Sequence, residues 1–361
     1  APILLTGCIP PDFEQKLLLE NSNVSLANLD VLRKNPDLLN EWLKGNGFRE
    51  NLKEKTPRIF TPGIAQESPH IGILNISDGC LDACSFCSTR LVKGKHRSVS
   101  PEKIFSEAKR YLENGCKELW LTGQDTSCYG FDIGTNLAEL AKKILEQNSG
   151  DYKIRLGMGN PRHLEKYLDE MLSVYEDERI YKFIHLPVQS GSVSVLQAMG
   201  RKHNVDTFRK IAEAFISKFS YFTLSTDIIV GFPGETREDF EQTCKLISDL
   251  KPSICNITRF VARPNTVAEK LPGKIPGKEQ HYRSATLSAL FQKIALENNI
   301  SREGKTARVL TEKSGHRNGT YIARDEAYRS IALKGNYKPG TWLNVQIEKA
   351  ETFALLAKEV L

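Results

Sequence analysis

The sequence predicts an α/β protein: a partial barrel of six strand-helix units, a small all-β barrel after it and an α/β remnant before it. Three observations carry this expectation. Between Ile71 and Ile300, short apolar runs alternate with longer amphipathic stretches, roughly one pair per forty residues. After Ser301 the helical pattern stops, and short strands broken by Gly315, Gly319, Gly335 and Gly340 replace it. Before Ile71, a segment holding Pro57, Pro62, Gly63 and Pro69 reads as a linker. The expected division is therefore residues 1–50, an N-terminal remnant; 51–70, the linker; 71–300, the barrel; and 301–361, the β-appendage.

Taken in order, Ile3 to Cys8 reads as a buried strand entering a turn, and Leu17–Leu19 and Leu29–Leu43 as helical patches with little strand signal between them. Because Ala1 opens the chain in what reads as a core strand, this domain is expected to be the tail of a longer one. The barrel strands are expected at Ile71–Ile76, Glu118–Thr122, Lys153–Gly157, Lys182–Leu186, Phe222–Val230 and Ile254–Phe260. The first barrel helix is well marked. Ser100 suits its cap, Pro101 its first turn, and Ile104, Phe105, Ala108, Tyr111 and Leu112 make one apolar stripe before Gly115. Appendage strands are expected at Lys305–Leu310, Thr320–Ala323, Ser330–Leu333 and Trp342–Ile347, in a small five-stranded barrel of a shape that often binds nucleic acid.

With 40% hydrophobic and 26% charged residues in 361, the composition is that of a globular protein. The longest apolar runs, such as Ile71 to Ile76, are far too short to cross a bilayer, and no secretory signal opens the chain. A cytoplasmic monomer without membrane contact is expected. Eight cysteines in such a chain are thiols or metal ligands rather than a disulfide framework, and Cys116, Cys128, Cys244 and Cys255 are expected to be unpaired in or near the core. The net charge of +6 is skewed toward the C-terminus, where residues 301–361 carry eleven Lys and Arg against seven Asp and Glu. Such a skew suits a polyanion, although it also suits a solvated face.

The sharpest chemical signal is Gly79-Cys80-Leu81-Asp82-Ala83-Cys84-Ser85-Phe86-Cys87. Three closely spaced thiolates suit an iron-sulfur cluster, and in a 4Fe-4S cubane three cysteines leave the fourth iron open. The alternative is zinc, with His96 as a distant fourth ligand inside the basic stretch Arg90, Lys93, Lys95, His96 and Arg97.

This run, with an aromatic residue before the last cysteine, resembles the signature of the radical S-adenosylmethionine superfamily. The resemblance implies a 4Fe-4S cluster on Cys80, Cys84 and Cys87, with the amino and carboxylate groups of S-adenosylmethionine on the open iron. Cleavage of the C5'–S bond there generates a 5'-deoxyadenosyl radical that takes hydrogen from an unreactive carbon.

Further blocks resemble the methylthiotransferases: Leu121-Thr122-Gly123-Gln124-Asp125-Thr126, His185-Leu186-Pro187-Val188-Gln189-Ser190-Gly191, Met199-Gly200-Arg201, Asp227 through Thr236, and Arg263-Pro264-Asn265-Thr266. Taken singly, these glycines and glutamines also suit ordinary turns and core hydrogen bonds. Gln124 and Asp125 are expected to meet the ammonium of S-adenosylmethionine, and Gln189 and Ser190 its methionyl or ribose groups. Asp227, Val230 and Phe232 are expected beside its adenine or ribose, and Phe86 beside the cofactor. The basic stretch after the loop is expected to steady phosphates or the cofactor carboxylate.

The block Thr6-Gly7-Cys8-Ile9-Pro10 resembles that around the third ligand of the auxiliary 4Fe-4S cluster of methylthiotransferases. The two earlier ligands have no counterpart in this sequence, so the second cluster is expected only in a full-length protein; otherwise Cys8 is an ordinary thiol. Residues Gly304-Lys305-Thr306 to Val345-Gln346-Ile347 resemble the TRAM module, implying tRNA as partner, with Tyr321, Tyr328, Tyr337, Trp342 and Phe353 as stacking or core aromatics. Ser88-Thr89-Arg90, Lys93-Gly94-Lys95-His96 and Gly123 to Ser127 resemble the archaeal and eukaryotic enzymes that convert N6-threonylcarbamoyladenosine beside the anticodon to its 2-methylthio derivative. Such an enzyme also requires a reductant and a sulfur donor that the sequence does not identify. The alternatives are methylthiolation of a ribosomal-protein aspartate and a non-catalytic RNA-binding fragment.

Overall fold

The computed structural model describes residues 3–6, 11–20, 23–27, 31–32, 35–45, 69–315 and 319–360. Cys8 and most of the expected linker lie outside the described residues. Near the N-terminus, β1 (Ile3–Thr6) pairs in parallel with β2 (Val24–Ala27), and helices span Pro11–Glu20 and Pro36–Leu43. The strand β2 departs from the sequence expectation. All four of its residues are buried, so it lacks the alternation that marks a half-exposed strand.

The barrel strands follow one another in space as they do in sequence. One parallel sheet contains β3 (Ile71–Asn75), β6 (Glu118–Thr122) and β7 (Lys153–Leu156); the other contains β8 (Phe183–His185), β9 (Thr223–Val230) and β10 (Ile254–Arg259). Among the described residues, a single bridge between Ile154 and Ile180 joins them, and β3 and β10 form the outer edges of a partial barrel. The helices between strands seal the outside. In the helix Pro101–Glu113, the predicted stripe buries Ile104 and Ala108, and across the core Leu74, Leu119, Leu121, Ile154, Leu186 and Ile228 are wholly buried. Each such aliphatic side chain contributes about 1.5–3 kcal/mol. A short hairpin of β4 (Ser77–Asp78) and β5 (Arg97–Ser98) flanks the cysteine loop.

The C-terminal strands β11 (Thr306–Ser314), β12 (Thr320–Arg324), β13 (Ser330–Lys334), β14 (Trp342–Ala350) and β15 (Leu355–Glu359) close a barrel in the order β11-β12-β13-β15-β14. The fifth strand, Leu-Leu-Ala-Lys-Glu, is made of good helix formers and has no strand signature. It is a strand because β13 and β14 offer it two edges at once.

This small barrel docks on the N-terminal ends of the large barrel's strands. Arg329 bonds Thr223 Oγ1 at 3.0 Å and Ser253 Oγ at 2.7 Å, Lys182 N–H donates to Glu326 O at 2.8 Å, and Tyr221 O–H donates to Asp325. Tyr328 packs on Tyr181 and Phe183 with ring centroids 4.8 and 5.2 Å apart. Of the aromatics read as stacking or core residues, Tyr321 and Tyr328 are buried, whereas Phe353 is exposed. Among the described residues, no helix is long and apolar enough to cross a membrane.

Candidate active site

The cysteine loop lies at the opposite, C-terminal end of the strands, beyond β3 and β4. Gly79 turns the chain into it with φ +76°, and a Cβ there would stand 2.2 Å from Lys95 O, so only glycine lets the loop pair with its returning arm. Cys80 bridges to Lys95, and Cys87 N–H closes a turn on Cys84 O at 3.1 Å. Gln124, from the end of β6, accepts the Gly79 N–H at 2.8 Å through Oε1. On the far side, Ser85 N–H donates to Met199 O and Ala268 N–H to Ser85 O, each at 2.8 Å, while Phe86 packs against the buried cluster of Val195, Met199, Phe232 and Ala268.

Asp82, the middle residue between the first two cysteines, ties the loop to the end of β7. Its carboxylate accepts from Arg162 Nη1 at 2.5 Å and Asn160 Nδ2 at 2.6 Å, with His163 Nε2 3.8 Å away. His163 then meets Asp125: Nδ1 lies 2.8 Å from Oδ2. The other Asp125 oxygen accepts from Ser127 N and Oγ and from Asn160 N. Burial opposes ionisation of Asp125, but the His163 contact and these donors together hold its carboxyl below the usual range.

These contacts revise the expected roles. Asp125 is buried with both oxygens committed to protein donors, so it is a strut of the site rather than a group presented to an ammonium. Ser190 is likewise fully buried, its hydroxyl 3.3 Å from Thr243 Oγ1 on the helix Arg237–Leu250. The carbonyls of Val230 and Phe232 accept from Phe260 N and Glu235 N, and both side chains are core. Gln189 takes a positive φ of 78° at the end of β8, where its backbone bonds Asp227 and Ile229. His96 is buried among Cys128, Ser98 and Asp132, and burial lowers its pKa, so it joins neither the cysteines nor a phosphate-binding face. Lys93 lies 3.8 Å from Asp78.

Other residues emerge from the fold. His185 Nε2 and Asn256 Nδ2 lie 3.0 and 2.8 Å from Asp227 Oδ1, making a polar row across β8, β9 and β10. Burial opposes ionisation of Asp227, but His185, Asn256 and Arg201 outweigh it and lower its pKa. His185 and Asp227 remain partly exposed. In the sequence, His185 and Arg201 lie in family blocks and Asp82 in the cysteine run; Asn160, Arg162, His163 and Asn256 had no local signal.

The thiols suit a cluster better than a single ion. A mononuclear zinc with 2.3 Å bonds brings its sulfurs to about 3.8 Å from one another. Among the described residues, the group of ligand atoms gathered within 4.8 Å is instead Asp125, Cys128 and His163, whose atoms are occupied by hydrogen bonds, including Cys128 S–H to Asp125 O at 3.2 Å. The more widely set Cys80, Cys84 and Cys87 are free thiols, none in a disulfide. Cys80 is pushed up to about 12 by burial, with Asp125 and Asp82 adding to it; burial also raises Cys84, against the pull of Arg201. Cys116, Cys128 and Cys255 are buried free thiols, and Cys244 is half-buried.

Comparison with known proteins agrees with this architecture. Residues 74–247 match the radical SAM superfamily model, and residues 301–360 match the TRAM domain model. A Pyrococcus abyssi protein named probable threonylcarbamoyladenosine tRNA methylthiotransferase is 42% identical over 360 residues, covering 99% of this chain and 83% of that protein. The protein of the same name from Archaeoglobus fulgidus is 40% identical over 348 residues, covering 96% and 80%. The Homo sapiens threonylcarbamoyladenosine tRNA methylthiotransferase is 32% identical over 341 residues, covering 92% and 58%. Among solved structures, the apo cobalamin-dependent S-adenosylmethionine radical enzyme OxsB superposes with a TM-score of 0.51 at 14% identity, covering 81% of this chain and 43% of that one, a likeness of fold. With its three-thiol loop at the mouth of a partial barrel and a TRAM barrel at the other end, the chain belongs to the threonylcarbamoyladenosine tRNA methylthiotransferase family.

Proposed function

We propose that the protein is a radical S-adenosylmethionine enzyme that converts N6-threonylcarbamoyladenosine beside the tRNA anticodon to its 2-methylthio derivative. The observation that carries this reading is the Cys80–Cys84–Cys87 loop, clamped at the barrel mouth in a chain of this family. Cys80, Cys84 and Cys87 hold the 4Fe-4S cluster, which when bound supplies the electron that begins radical chemistry on S-adenosylmethionine. Gln124 and Asp82 hold the loop to the ends of β6 and β7, so the thiols keep their spacing. The His185–Asp227–Asn256 row, Gln189 and Phe86 line or support the space where S-adenosylmethionine and the target adenine meet. Val230 and Phe232 pack the core at the end of β9.

The working division is an N-terminal region at residues 1–50, the radical domain at 71–300 and the TRAM domain at 301–361. The TRAM surface and the basic residues Arg90, Lys93, Lys95 and Arg97 engage tRNA phosphates. Because the TRAM barrel covers the end of the strands away from the cysteines, the RNA runs along the flank of the barrel to reach the mouth.

The test is mass spectrometry of nucleosides from threonylcarbamoyladenosine-containing tRNA incubated anaerobically with the reconstituted full-length protein, S-adenosylmethionine, a reductant and a sulfur source. A methylthio adduct on that nucleoside is the expected result; its absence with a cluster-loaded protein rejects the reading.

A further inference from the structure

The short helix Val193–Ala198 ends beneath the cysteine loop and delivers one cation to it. Ser85 holds the helix end through Met199 O at 2.8 Å and Ala198 O at 2.9 Å. Gly200 then passes the loop backbone with φ +69°, a Cβ position there lying 3.4 Å from Ala83 O. The next residue, Arg201, places Nη1 3.5 Å from Cys84 Sγ, while Nη2 donates to Pro187 O at 2.8 Å. Its Nε is buried without a hydrogen-bond partner, so the two ends of the fork fix the guanidinium. The first cysteine of the loop has a different neighbourhood. Cys80 Sγ accepts the Asp82 N–H at 3.4 Å, and its nearby charges are the carboxylates of Asp125 and Asp82.

We propose that Arg201 is a positioning residue that fixes Cys84 and raises the reduction potential of the cluster held by the loop, an inference that rests on the cluster reading above. A donor and positive charge at a ligand sulfur stabilise the reduced cluster, which carries one more electron, so they favour electron uptake. Arginine suits this place because its planar fork reaches Pro187 O and the sulfur together. The single ammonium of lysine does not reproduce that geometry. Arg201 also joins His185 and Asn256 in stabilising the Asp227 carboxylate, which links the cysteine loop electrostatically to the polar row inside the barrel.

The test uses the whole chain, reconstituted anaerobically with iron and sulfide, as wild type, Arg201→Lys and Arg201→Met. Iron and sulfide per chain are measured, and the cluster is titrated to its midpoint potential by electron paramagnetic resonance. The expected potentials fall in the order wild type, Arg201→Lys, Arg201→Met. Equal potentials in loaded proteins overturn the role of Arg201 while leaving the cluster reading intact. If Arg201→Met fails to load, wild type against Arg201→Lys decides, and equal potentials again overturn the proposal. A wild-type chain that binds no iron overturns the cluster reading, and this inference with it.

Discussion

Asp82 and Arg162 are eighty residues apart in sequence, yet the carboxylate of one accepts a hydrogen bond from Nη1 of the other at 2.5 Å. Their exposures differ: the Asp82 side chain is 1% exposed and that of Arg162 33%. The acidic partner therefore depends on protein groups, namely Arg162, Asn160 and His163, while the arginine keeps contact with water. The three-thiol loop is thus tied through Asp82 to the segment that follows β7.

Replacing Arg162 with Ala leaves Asp82 buried without its cation. This should destabilise the protein by about 2–3 kcal/mol, below the roughly 3–5 kcal/mol for breaking a fully buried pair because Arg162 is partly solvated. Asp82→Asn, which removes the anion itself, should cost less. Urea unfolding of the two variants checks the order, and a smaller loss in Arg162→Ala than in Asp82→Asn rejects it.

Single Ala replacements of Cys80, Cys84 or Cys87 should each abolish bound iron after anaerobic reconstitution. Cys128→Ala should retain it even though Cys128 is fully buried near the loop, because its sulfur is engaged with Asp125 O and His96. Iron and sulfide analysis separates the two groups. Loss of the cluster in Cys128→Ala would assign it a ligand role that its contacts do not support.

Glu118 lies between the two barrels, accepting from Trp120 Nε1 and, at 3.2 Å, from Tyr181 O–H. Burial lifts its pKa to about 7 from an ordinary 4.5. Folding therefore favours the protonated acid: its contribution is present in full below pH 4.5 and is lost as pH rises through 7, a change of roughly 3 kcal/mol. Acidification from pH 8 to pH 6 should thus raise the melting temperature relative to Glu118→Gln, whose side chain does not titrate. Parallel pH profiles for the two proteins would refute this.

Arg329 bonds Asn299 Oδ1 at 2.6 Å as well as Thr223 and Ser253, which staples the TRAM barrel to the strand starts and to the long helix Gly277–Ile300. Arg329→Ala should cost about 3 kcal/mol and increase hydrogen exchange around Thr223 and Ser253. Iron loading should remain at the wild-type level, since the cysteines lie at the other end of the strands. A simultaneous loss of iron would show that the two ends are coupled.

Local features of the chain anticipated much of this molecule. The strand Glu118–Thr122 and the start of Ile71–Asn75 fall where apolar runs predict them, because a buried parallel strand is written in consecutive residues. The Cys-x3-Cys-x2-Cys spacing likewise marks its chemistry within eight residues. The strands Val24–Ala27 and Leu355–Glu359 carry no strand signal in sequence, because one is only four residues long with Ser25 interrupting its apolar run and the other is composed of helix formers.

The order of elements and the identity of the three loop thiols were thus set by neighbours along the chain, since turns, alternation and ligand spacing act over a few residues. The partners of those thiols were settled by folding. Asp125 and Ser190 sit in motifs that suggest cofactor contacts, but the packed structure surrounds them with Asn160, His163 and Thr243. Asp82 lies in the cysteine run and Arg201 in a family block, but their roles appear only when folding brings Arg162, past the end of β7, to Asp82 and Arg201, past the helix Val193–Ala198, to Cys84. A hydrogen bond requires atoms within about 3 to 3.5 Å, and across separations of 80 and 117 residues only the closing of the barrel supplies that distance.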